Sequence, residues 1–162
     1  MKHINLSFPP KRQGFTLIEL LVVIGILALL LAITLIAINP AKQFAQANDT
    51  KRSSDVNAIL NAVDQYAADH KGQLPAGIGN SATVVASTGG VDLCNFLVTD
   101  YLAALPTDPT TGNTAGVVGA PVAVCTANYS TGYSISKSAT NNRVTVTAVS
   151  EVYPAVPIQV TR

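Results

Sequence analysis

The chain has 162 residues, a net charge of +1 and 12% charged side chains, about half the charge content usual for soluble domains. That length bounds it to one modest domain plus an extra segment. A near-neutral balance with no basic stripe and no interleaved aromatics gives nucleic acid little electrostatic hold, so no specific nucleic-acid partner is expected.

The apolar excess is concentrated near the N-terminus. Phe15 to Ile38 is a run of 24 residues, of which 17 are Leu, Ile, Val or Phe. As a helix it would reach roughly 36 Å, enough to cross a hydrocarbon layer. Those side chains supply about −5 to −10 kcal/mol of insertion free energy, against about +3 for a centrally placed carboxylate. Insertion is therefore expected despite Glu19, the one ionisable residue in the run. The run is too long for a cleavable secretory signal and lacks its small-residue cut site. Basic residues tie across it: Lys2, Lys11 and Arg12 before, Lys42, Lys51 and Arg52 after. The tight Lys11-Arg12 pair places the N-terminus inside.

An acid at membrane depth is by default a functional group in need of a partner. No Lys, Arg or His lies between Phe15 and Ile38. A cut between Gly14 and Phe15 would create a free amine one helical turn from Glu19. Pairing Glu19 of one copy with Phe15 of the next would turn a buried-charge penalty into a register signal. Gly14, without a side chain, suits an extended and accessible cleavage site.

Pro40 follows Asn39 and should kink or loosen the helix. Beyond it Val56, Ile59/Leu60, Val63 and Tyr66/Ala67 fall on one helical face. Lys71-Gly72 is a stop signal and Pro75 prevents continuation. Residues 15 to about 71 therefore read as one long, kinked helix: 15–39 apolar all round, 40–72 amphipathic. Residues 73–162 read as a β-rich head. In it, a short strand is expected at Ala82–Ala86, a short helix within Asp92–Leu105, and turns from Leu105 to Asn113. A strand over Val117–Cys125, interrupted by Gly119 and Pro121, comes next. The clearest element is a hairpin of Gly132–Ser138 and Arg143–Ser150, where Val144, Val146 and Ala148 alternate with Thr145 and Thr147. The tail, with Pro154 and Pro157, is expected to form an edge segment or surface wrap.

Cys94 and Cys125 stand 31 positions apart, without a CxxC or a nearby histidine. Export implied by the apolar run favours one disulfide over two separate buried thiols. Catalysis is not expected. The histidines are His3 and His70, and no nucleophile–base set, GxGxxG or P-loop occurs.

The stretch Lys11-Arg12-Gln13-Gly14-Phe15-Thr16-Leu17-Ile18-Glu19-Leu20 closely resembles the class III signal of type IV pilins and type II secretion pseudopilins. Lys51–Pro75 and the Leu105-Pro106-x-Asp108-Pro109 turn are also similar to the major pseudopilin and simple pilins. The resemblance implies an α+β fold, a long N-terminal helix packed on a small antiparallel sheet. It further implies a leader, residues 1–14, cleaved after Gly14 by a prepilin peptidase that reads Lys11 and Arg12. N-methylation of Phe15 and a Glu19 that guides filament assembly follow. The implied partners are further copies of the chain, membrane lipid before assembly, a membrane platform protein and an ATPase in trans, since the chain has no nucleotide site. The implied function is a structural subunit of a type IV pilus used in adhesion, motility or DNA uptake. The alternative is the major pseudopilin of a type II secretion system. A membrane-anchored extracytoplasmic binding module is the non-filament alternative, and Glu19 argues against it. The subunit would wait in the inner membrane with its C-terminal head outside, then join an extracellular pilus or periplasmic pseudopilus. Secretion pseudopilins can hold calcium in the head. This chain lacks the aromatic after Asp108-Pro109, and Asp92, Asp100 and Asp108 have no EF-hand spacing. Asp108 is the one calcium candidate, against the alternative of solvated turn acids, and no other cofactor is expected.

Overall fold

The computed structural model describes residues 14–162, so Lys11 and Arg12 lie outside the described residues. The chain divides into two compact units, one reaching to Pro40 and one spanning Ala41–Arg162.

The first unit is helix α1, Leu17–Ile38. None of its 22 residues is buried within the chain. It is apolar on every side and by length and composition able to cross a membrane. Its polar groups are satisfied locally, as hydrocarbon requires: the Thr34 hydroxyl donates to the Leu31 carbonyl at 2.9 Å.

The single long helix expected from the sequence is in fact two. Asn39 adopts φ 47° and ψ 78°, the left-handed conformation, and caps α1. Helix α2 then starts at Pro40 and runs to Asp69. The break precedes the proline rather than centring on it, for two reasons. A residue before proline is pushed out of the right-handed helical region, and asparagine tolerates the left-handed one. Pro40 itself sits at the first helical position, where its missing N–H costs nothing.

In the second unit α2 buries Val56, Ile59, Leu60, Ala62 and Val63, the face read from the spacing, together with Arg52. It ends where Lys71 and Gly72 turn left-handed and the Gly72 N–H reaches the Ala67 carbonyl at 2.7 Å. The buried face is covered by an antiparallel sheet of β1 (Thr83–Ala86), β2 (Asn113–Thr114), β3 (Val117–Val118), β4 (Tyr129–Lys137), β5 (Val144–Ala148) and β6 (Ile158–Thr161). The order is β3-β2-β4-β5-β6, with β1 also paired to β4. The predicted hairpin is β4–β5, with Ile135 opposite Val146, and both side chains are in the core. Proline-flanked β6 pairs with β5 at the edge, as the tail composition suggested.

Two expectations shrink. The helix within Asp92–Leu105 is only α3, a single turn at Cys94–Leu97. The strand over Val117–Cys125 is limited to β3, whose two valines are more than half exposed. Gly119, at φ +71°, turns the chain away beside Pro109. Only Val122 re-enters the core, through a bridge to Leu105.

Candidate functional site: a capped carboxylate and a buried guanidinium

At the start of α1 the chain supplies its own partner for the acid in the apolar run. Thr16 is the N-cap, extended at φ −78° and ψ 151°. Its N–H and hydroxyl donate to Glu19 Oε2 at 2.8 and 2.6 Å. Its hydroxyl oxygen in turn accepts from the Glu19 N–H at 3.3 Å. This reciprocal capping box satisfies two helix-end donors and holds the carboxylate in one place. Sequence reasoning sought a cation for Glu19 and passed over Thr16, although Thr16-x-x-Glu19 is the spacing of a capping box. Directly upstream, no side chain among the described residues comes within 4 Å of where a Cβ on Gly14 would stand, and Phe15 is 81% exposed. The Gly14–Phe15 bond thus lies in open backbone just before the capped turn.

In the head the notable polar site centres on Arg52, only 2% exposed. Its Nε donates to Asp108 Oδ2 at 2.6 Å and one terminal nitrogen reaches Asp108 Oδ1 at 3.1 Å. The same nitrogen donates to Glu151 at 2.6 Å and Thr110 at 2.8 Å, while the other terminal nitrogen meets Asp49 at 2.9 Å. The carboxylates carry further donors. Asp49 accepts from the Ser150 hydroxyl and from the N–H groups of Glu151 and Val152. Asp108 accepts from the N–H groups of Thr110 and Thr111 and from the Thr110 hydroxyl. Glu151 accepts from the Asn48 amide.

Burial alone would raise the Asp49 carboxyl, but its hydrogen bonds outweigh it and leave a pKa of about 2. Burial opposes ionisation of Asp108 too, yet Arg52 and the turn N–H groups hold that carboxyl far below the usual range. Glu151 is lowered chiefly by the hydrogen bond from Arg52. Each shift favours the charged form against desolvation.

These contacts account for Asp108, the calcium candidate of the sequence, as a buried partner of Arg52. The carboxylate is neither solvated nor open: both oxygens are engaged by the guanidinium and the turn backbone. Arg52 was missed because it entered only the count of basic residues after the apolar run. Its register was the available signal: it precedes Val56, Ile59 and Val63 by 4, 7 and 11 positions, on the buried face. Cys94 and Cys125 are bonded, with Cα atoms 5.4 Å apart, which ties α3 to the loop before β4. His70 stacks on Tyr66 at a centroid distance of 3.9 Å, at the end of α2.

A family profile for the prokaryotic N-terminal methylation motif matches residues 9–35. Three curated proteins named Type II secretion system core protein G align over 99 residues, 61% of this chain. That of Pseudomonas aeruginosa is 34% identical with 68% of its length covered. The Escherichia coli K12 protein is 32% identical over 67% of its length, and the Aeromonas hydrophila protein 31% identical over 68%. The chain belongs to the type IV pilin and pseudopilin family. No solved structure matches it significantly. For a family member the two sites divide naturally by region: the capped acid lies within the methylation motif, and the Arg52 cluster lies in the head.

Proposed function

We propose that the chain is a structural subunit of a secretion pseudopilus, anchored by α1 before assembly and stacked with further copies of itself afterwards. The observation that carries this reading is a capped carboxylate one turn into an all-apolar helix, directly after Gly14-Phe15, in a chain whose relatives are core protein G. Those relatives favour the secretion pseudopilin over the surface pilus of adhesion, motility or DNA uptake.

In this reading a prepilin peptidase cuts after Gly14 and Phe15 becomes the methylated N-terminus. Glu19, held by Thr16 in the single chain, meets the amine of a neighbouring Phe15 as helices slide into register. Heterologous contacts of this kind do not close and so generate an open fibre. The head faces the extracytoplasmic side. A platform protein and an ATPase in trans supply the lift, and the subunit itself catalyses nothing.

Two measurements test the proposal. Mass spectrometry and N-terminal sequencing of the mature protein should find methylated Phe15, and any other first residue overturns the processing step. Removal of the protein from its host should abolish release of secreted enzymes while leaving surface motility intact. The reverse pattern would assign it to a surface pilus.

A further inference from the structure

The Arg52 cluster has the logic of a cation site that the chain fills for itself. Three carboxylates from separate places converge on one buried positive group: Asp49 on α2, Asp108 in the turn before β2, and Glu151 between β5 and β6. In sequence these are 3, 56 and 99 residues from Arg52. A divalent ion offers such a set a point charge and demands several oxygens in its shell. A guanidinium offers planar, directional donors and is charged at every working pH. All its nitrogens are used here. Nε and one terminal nitrogen grip Asp108 as a fork, and the remaining contacts go to Asp49, Glu151 and Thr110. The surplus negative charge is met by hydroxyl and backbone N–H donors on Asp49 and Asp108 and by an amide on Glu151. Both oxygens of Asp108 are already taken. The donor set therefore does not fit a calcium ion.

We propose that Arg52 is the built-in cation of this head. It fastens the Asp108 turn and the C-terminal segment carrying β6 to α2, so the head folds and enters the fibre without a bound divalent metal. The inference rests on contacts within the head and stands whether the fibre is a pseudopilus or a pilus. It also predicts which part loosens first. Glu151, Ser150 and Val152 are all held by Arg52 or by Asp49 beside it, so loss of the fork should free the tail from Ser150 through Thr161 ahead of the β4–β5 hairpin.

The test uses the full chain in detergent micelles, with near-ultraviolet circular dichroism of the tyrosines reporting the head. Adding calcium chloride or a calcium chelator should leave Tm of the wild type unchanged, and a rise with calcium overturns the proposal. Arg52→Met should lower Tm by roughly 10–20 °C, the scale for breaking a buried ion pair in a head of this size. A variant as stable as wild type also overturns it. Should Arg52→Met not fold, Arg52→Lys keeps the charge but loses the fork. Amide exchange in this variant should rise first across residues 150–161. A uniform rise, or none, sinks the claim that this guanidinium fastens the tail.

Discussion

The Tyr133 hydroxyl donates to Asp55 Oδ2 at 2.7 Å, joining the middle of β4 to the buried side of α2 one turn after Arg52. Asp55 is bonded in turn to Lys51, whose ammonium also reaches the Thr107 carbonyl at 2.8 Å. A line of polar groups thus runs from the strand through the helix to the Asp108 turn. The head is held by this seam as well as by its apolar core.

Breaking the seam at its deepest point should be costly. Asp108→Ala leaves Arg52 buried with only its two more exposed carboxylates as charged partners, and such a loss costs about 3–5 kcal/mol. Urea unfolding of the head should show a lowered midpoint with an unchanged slope. A variant within about 0.5 kcal/mol of wild type, the range of ordinary surface changes, would show that the pair contributes nothing.

Acid should weaken the head in a defined window. The carboxyls of Asp49, Asp108 and Glu151 are all lowered in the folded state, Asp49 to about 2. Their ordinary values lie near 4. A depressed carboxylate contributes stability that is complete above its unfolded pKa and vanishes as pH falls through its folded one. Tm should therefore be level near neutrality and fall steeply from about pH 4.5 towards pH 2. Glu151→Gln, which removes one of the three, should make that fall shallower.

The capping box makes its own prediction. Thr16→Ala removes the hydroxyl, one of the two donors that fix Glu19, and a cap worth about 1 kcal/mol. Amide exchange over residues 17–20 should accelerate in micelles while the rest of α1 is unaffected. Glu19→Ala should still insert, since the apolar run dominates, yet yield few fibres in electron micrographs. Full fibre formation by that variant would count against an assembly role for the acid.

The Cys94–Cys125 bond closes a loop of 31 positions, for which chain entropy gives about 3.5 kcal/mol. Reduction should lower Tm, and alkylation followed by mass spectrometry should find both thiols blocked until a reductant is added. A Cys125→Ser protein with unchanged Tm would remove the bond from the account of stability.

Close approach to the Asp108 turn should make Gly132 intolerant of a side chain. At φ +77° its added Cβ would stand 2.9 Å from Asp108 Cβ and 2.7 Å from Thr111 Oγ1. Gly132→Ala should lose more than about 1 kcal/mol, the scale for a side chain forced into an incompatible backbone conformation.

What the sequence determined by itself was whatever depends on local order along the chain. The apolar run, the alternation of Val144, Val146 and Ala148, the helical face of α2 and the stop at Lys71-Gly72 are periodic or short-range signals, and each was legible. So was the methylation motif around Gly14, Phe15 and Glu19, because its residues are contiguous in the chain. The tertiary structure alone decided the fate of charges that meet across the fold. Arg52 and Asp108 are 56 positions apart, and Glu151 is 43 further on, so no window along the chain contains them together. Only the docking of the sheet and tail against α2 removes water from Arg52, and burial is what turns a surface-type charge into the hub of the head. The break at Asn39 lies between these cases. Its ingredients were visible in Asn39-Pro40, but whether the helix bends through the proline or ends before it depends on the backbone conformation Asn39 adopts.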